Sequence, residues 1–264
     1  MSVARIKTIV IVALALVNAF FMTIIAVDNY SSARSERQAI ESVCSILQSN
    51  GIRIDPDSIK TAGALRTMRT TRDIALEESI ALVFLGEADI TVQSLIYRYE
   101  NPDRGYAEFS SGGNFEIQLN AGVITDTDGT LRTVQKVVRD MRLETSAPVL
   151  SLSPEAEIVS VLSRHKGTDI FNCSIEFFFV GGNLQTVRGR YVAGAEPIED
   201  SAGISNVGTA LLGMLADVVK GDIECEEIIG VEAGYQHSVV GSFGEGVLTP
   251  SWLIITPSES FFVR

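Results

Sequence analysis

Residues 173–193 read CSIEFFFVGGNLQTVRGRYVA, and this stretch decides the fold class. Residues 173–180 predict a strand, Gly181-Gly182-Asn183 a tight hairpin turn, and 184–193 the returning strand. The run Phe177-Phe178-Phe179 implies burial within a sheet. Outward from this hairpin, 156–163 predicts a further strand. Residues 204–219 predict a helix with Leu211, Met214, Leu215, Val218 and Val219 inward and Gly221 as its stop. Residues 225–238, 246–256 and 260–264 predict strands, and Pro250 and Pro257 place themselves at edges or bends.

The first half repeats this order. Residues 64–72 partly alternate as a strand does. Residues 74–85 fit a helix with Leu76, Ile80, Val83 and Phe84 on one face, closed by Gly86. Three strands follow at 90–99, 105–110 and 114–120, with turns at Asn101–Gly105 and Gly112-Gly113. Residues 131–143 place Leu131, Val134, Val138 and Met141 at helical spacing. Ahead of all these, residues 32–50 put Ile40, Val43, Cys44 and Leu47 at 3–4 spacing before Gly51. Strand runs joined by short hairpins define an α+β body of antiparallel sheets with helices packed on one face. The expected organisation is two similar lobes, at 51–148 and 149–264, behind a helix at 28–50.

The N-terminal segment Thr8 to Val27, TIVIVALALVNAFFMTIIAV, holds no charge. About twenty residues at a 1.5 Å rise span a hydrocarbon core of roughly 30 Å. The run is too long for a signal peptide, and no small-x-small site closes it. It predicts a single transmembrane helix. Arg5 and Lys7 then set the topology, with a cytoplasmic stub at 1–7 and an extracytoplasmic body. The expected location is the cell membrane, single-pass. Ala15, Asn18, Ala19 and Met22 share one helix face, with a small-residue pair and a buried amide, and form the expected partner-binding face. So short a stub folds into no domain, so signalling must pass through a partner.

The chain carries 33 acidic and 21 basic residues, a net charge of −12. Such a body repels polyanions, which argues against nucleic acid. His165 and His237 stand in no metal-binding frame and read as surface or loop histidines, so no metal site is expected. Asp126-Thr127-Asp128-Gly129 lacks the remaining ligands of a calcium loop and reads as a turn. Cys44, Cys173 and Cys225 are an odd number, read as three small buried hydrophobes, with a Cys173–Cys225 disulfide as the alternative. Glu77-Glu78 and Glu226-Glu227 are adjacent pairs that diverge and solvate the surface. No nucleophile elbow, phosphate loop or dinucleotide fingerprint occurs, so neither catalytic residues nor a cofactor are expected.

Four short stretches carry a family resemblance. These are the N-terminal Arg5-Ile6-Lys7-Thr8-Ile9 leading into the apolar run, and Lys166-Gly167-Thr168-Asp169-Ile170-Phe171-Asn172 before a strand. The others are Gly234-Tyr235 and the tail, Leu248-Thr249-Pro250-Ser251-Trp252 followed by Phe261-Phe262-Val263. Together they resemble the YycI (WalI) family, membrane regulators of an essential cell-wall two-component system in Gram-positive bacteria. The resemblance implies an accessory regulator of a sensor histidine kinase, acting by transmembrane-helix and ectodomain contacts. It further implies a YycH-like companion protein, the lipid bilayer as surroundings, and no active site. The acidic body leaves a second expectation open, an extracytoplasmic module binding a cell-wall fragment, peptide or cation.

Overall fold

The computed structural model describes residues 37–60, 63–199, 201, 203–241 and 244–263. The chain divides into two compact units. In the smaller, helix α1 (37–49) buries Ile40, Val43, Cys44 and Leu47, the stripe that the 3–4 spacing predicts. Strand β1 (Arg53–Ile54) follows, and a one-turn 3-10 helix covers Pro56–Ser58.

The same unit contains the helix near residue 210, Val207–Lys220, and a short strand, Glu227–Ile228. That helix buries Val207, Ala210, Leu211, Met214 and Leu215. Strand β1 pairs parallel with Glu227–Ile228, and Arg53 reaches Glu227 at 3.3 Å.

The larger unit is built on sheet. In chain order it runs β2 (Ile59–Lys60), β3 (Met68–Thr70), α2 (Ile74–Leu85), β4 (Asp89–Gln93), β5 (Ile96–Asn101), β6 (Gly105–Phe109) and β7 (Asn114–Leu119). Then come α3 (Thr130–Asp140), β8 (Val149–Leu152), β9 (Glu157–His165), β10 (Thr168–Val180), β11 (Asn183–Arg190) and β12 (Glu196–Pro197). With the helix Val207–Lys220 as α4 and Glu227–Ile228 as β13, the chain ends on β14 (Gly230–Val239), β15 (Gly246–Ile255) and β16 (Ser260–Val263).

Eight strands lie antiparallel in the order β8-β9-β10-β11-β7-β6-β5-β4. Alternation fixes which way each side chain points. Phe109, Ile117, Val159, Ile175, Phe177 and Leu184 share a core with Ile80 and Phe84 of α2 and Val134 and Val138 of α3. Each of these large side chains contributes about 1.5–3 kcal/mol by leaving water. The other face is solvated. Across it the register lines up Arg98, Glu108, Glu116, Arg188 and Glu176 as successive neighbours. Phe178 also faces this side, under the Arg188 guanidinium at 4.6 Å.

The expected architecture is corrected in three respects. The described residues form a mostly-sheet α+β fold, not two similar lobes of antiparallel sheet. Five residue pairs, Thr186↔Gln118 to Arg190↔Asn114, join β11 to β7 and merge the halves into one sheet. Nor is the pairing purely antiparallel, because β10 meets β14, and β2 meets β14, in parallel. The expected transmembrane helix and single-pass membrane location are corrected too. Among the described residues no helix is long and apolar enough to cross a membrane. The longest, α4, has 14 residues, or about 21 Å at the α-helical rise. Residues 8–27, on which that expectation falls, lie outside the described residues.

Smaller differences have local causes. Residues 90–99 are not one strand but a hairpin, because Ser94 and Leu95 both take positive φ, 51° and 67°. That is the backbone of a two-residue turn normally built from Asn and Gly, so the sequence gives no warning of it. Pro250 sits inside β15 opposite Tyr235. It falls in the gap between the β3 ladder at 246–248 and the β16 ladder at 252–255, where β15 has a neighbour on one side only.

Candidate functional site

Helix α2 starts where Asp73 caps it, the carboxylate accepting from Leu76 N–H at 3.0 Å. Gly86 ends it with φ 65°, its N–H returning to Leu82 O. The chain then turns directly into β4, the last strand of the sheet. Ile90 and Val92 stand opposite Tyr99 and Tyr97, on the side of the sheet that carries α2. The helix does not cover them: Ile90 is 52% and Val92 55% exposed, and Leu82 on α2 is 58% exposed. Between helix and strand lies an open cleft of about 440 Å³, lined by Ala75, Ser79, Leu82, Ile90 and Tyr99. Glu78 and Glu87 also line it.

A buried ion pair ties the two walls of this cleft together. Arg72 donates to Glu77 through Nε at 2.7 Å and Nη2 at 2.8 Å. The Glu77 side chain is fully buried and that of Arg72 is 9% exposed. Arg72 Nη1 donates to Leu95 O at 2.6 Å, at the tip of the β4–β5 hairpin, and Nη2 to Phe109 O at 3.1 Å. Tyr191 OH donates to Glu77 Oε1 at 3.1 Å, and the guanidinium lies 4.6 Å from the Tyr97 ring centre. Both charges are therefore paired and hydrogen-bonded, the condition for a buried charge to be tolerated. Burial and the Glu77 charge together push the Tyr191 phenol far up. Glu77 thus departs from the expected solvating pair; its neighbour in sequence says nothing about the arginine five residues earlier.

A second feature lies where β10 leaves one part of the sheet for another. Ile170 pairs with Tyr235, and the side chain of Asn172 makes both bonds to the backbone of His237: Nδ2 to O at 2.7 Å, and N–H to Oδ1 at 2.8 Å. Gly234 is required here, since a Cβ would come 2.7 Å from the Asp169 backbone carbonyl oxygen as well as 2.5 Å from the Phe171 ring. Phe171 packs on Phe262 at 5.8 Å, and Trp252 Nε1 donates to Ser205 O at 2.9 Å. The stretches 166–172, 234–235, 248–252 and 261–263 therefore meet at one junction. Beside it, on the solvated face, is a polar hollow of about 550 Å³ lined by Asn172, Asn114, Ser174, Arg190, Glu116 and Glu176 among others. Arg190 Nε donates to Asn114 Oδ1 at 2.8 Å.

His237 is 5% exposed rather than a surface histidine. Its Nε2 lies 3.2 Å from Thr70 Oγ1, and its Nδ1 is buried without a partner. Burial, aided by the Arg190 guanidinium, pushes the imidazole down to about 4 from its usual 6.5. The unfolded chain then binds the proton more tightly than the folded one between those values. This contribution to stability is complete above pH 6.5 and is lost as pH falls toward 4. It amounts to on the order of 3 kcal/mol. Urea titrations at stepped pH should show this slope, and H237N should flatten it.

Among the described residues no group of three or more His, Cys, Asp or Glu is placed to hold a metal ion. Cys44 and Cys173 are buried free thiols, and burial pushes Cys173 up to about 12. Cys225 is half-buried, with Sγ 3.7 Å from Glu227 O. Asp126 accepts from Thr130 at 2.7 Å at the start of α3, as a turn residue would. The expected partner face, Ala15, Asn18, Ala19 and Met22, and the topology residues Arg5 and Lys7 lie outside the described residues. Sequence reasoning missed the α2–β4 cleft. The signal available was Ile90 and Val92 alternating beside a helix with the apolar, outward Leu82.

No family model matches the chain, and no curated protein matches it.

Proposed function

We propose that the protein is a regulatory binding subunit, without chemistry of its own, that acts on a sensor histidine kinase by contact. The mechanism is differential binding: the protein shifts the kinase equilibrium because one kinase conformation holds it more tightly. A YycH-like companion is the second partner in this reading. The observation that carries it is the junction: the later stretches that resemble the YycI family, far apart in sequence, pack against one another around Asn172 and Gly234. The solvated face beside them presents fixed, interleaved charges rather than a convergent nucleophile and base.

Tagged full-length chain, isolated from native cells, should carry the kinase with it. Deletion should change the output of a reporter driven by that kinase's response regulator. A tagged chain that restores a deletion strain yet brings down no kinase would contradict the proposal.

A further inference from the structure

We infer that β4 and the α2–β4 cleft take an extended peptide segment of the partner, which adds to the sheet as a ninth antiparallel-sheet strand and carries alternating apolar side chains and flanking Lys or Arg. The inference rests on the binding reading above and names the chemistry of what is bound.

An outermost strand presents a row of unpaired N–H and C=O groups, and natural sheets usually blunt that row. All five residues of β4, Asp89 to Gln93, are exposed, and none is Pro or Lys. The opposite edge, β8, is bracketed by Pro148 and Pro154, carries no charge and lacks any ionic signal for a partner. Beside β4 the cleft supplies what strand addition needs for selectivity: an apolar trough, running between edge strand and helix, into which every second side chain of an added strand points. Ile90 and Leu82 are its apolar walls. The hairpin that ends β4 is held by Arg72, so the edge is fixed before binding and little ordering is left to oppose it.

Charge decides the occupant. Glu78 and Glu87 line the cleft and Asp89 begins β4 beside it, and none has an ion-pair partner among the described residues. A second copy would set these same carboxylates against each other in a chain of net charge −12. A basic, apolar-alternating segment meets them with opposite charge.

The test uses the full-length chain and three labelled octapeptides. One alternates valine with lysine, one alternates valine with glutamate, and one is the lysine peptide with proline at two central positions. Binding is read by fluorescence anisotropy at low and moderate salt. The lysine peptide should bind, weaken as salt rises, and exceed the other two by at least about tenfold. L82K and I90K change exposed residues, so their melting should match the parent while lysine-peptide binding falls about tenfold. Equal binding of the acidic peptide, no binding of the lysine peptide, or unchanged binding by both variants would overturn the inference. Kinase co-isolation separates the two proposals. If L82K and I90K lose the peptide but keep the kinase in full, the cleft assignment fails and the regulatory reading stands. If peptide binding is as stated but the parent chain never brings down the kinase, the regulatory reading fails instead.

Discussion

R72A should lower the unfolding free energy by about 3–5 kcal/mol, because it leaves the Glu77 carboxylate buried without its counter-charge. The Glu77 side chain is fully buried, and among the described residues its other donor is Tyr191 OH at 3.1 Å. The loss reaches further than one pair. Arg72 also holds Leu95 O and Phe109 O, so its removal frees the tip of the β4–β5 hairpin and one wall of the cleft. E77A should cost a similar amount by stranding the guanidinium. The double variant R72A/E77A should lose clearly less than the sum, since neither charge is then left alone. Trp252, the single tryptophan, is 4% exposed and reports unfolding in urea. Additive losses in that cycle would mean that the pair acts as two independent packing residues.

N172A is expected to cost about 1–2 kcal/mol, since two backbone groups of His237 lose their partner at a site that water reaches in part, and a hydrogen bond contributes about 0.5–1.5 kcal/mol net. N172D separates the two bonds: it keeps the acceptor for His237 N–H and removes the donor to His237 O. It should lose at least as much as N172A at neutral pH, because a carboxylate oxygen then faces the His237 carbonyl in place of the Nδ2 donor. The same denaturation experiment decides this. A loss under about 0.5 kcal/mol, the size of an ordinary surface change, would show that the β10–β14 junction is held by ring packing alone.

Local sequence is most informative where one periodicity dominates a whole element. Helix α2 occupies 74–85 as the Leu76, Ile80, Val83 and Phe84 spacing predicts, and the Gly181-Gly182 turn closes β10 onto β11. It failed where structure depends on partners distant in sequence. Nothing in 114–119 or 183–190 by itself says that these strands pair, yet that pairing decides between two lobes and one sheet. Strand β8, Val149–Leu152, is not predicted because its four residues, set between Pro148 and Pro154, show too little alternation. Glu77 and His237 were read by residue type as solvent-facing. Both are buried because a specific partner, Arg72 in one case and the Thr70 hydroxyl in the other, meets them from another part of the chain. The resemblance stretches were visible as words in the sequence. Their convergence on Asn172 and Gly234 was not, because it needs the fold.

The cleft and the ion pair that braces it form one unit: α2 supplies Leu82 and Glu77, the hairpin supplies Ile90 and Leu95, and Arg72 joins them. This unit is the proposed docking site of the partner. Amide hydrogen exchange of the full-length chain, alone and with the sensor kinase, tests it directly. The amides of residues 89–93 that do not bond to β5 should exchange slowly only when the kinase is present, and L82K should abolish this slowing. Kinase-dependent protection located elsewhere, with residues 89–93 exchanging at the same rate in both samples, would contradict it.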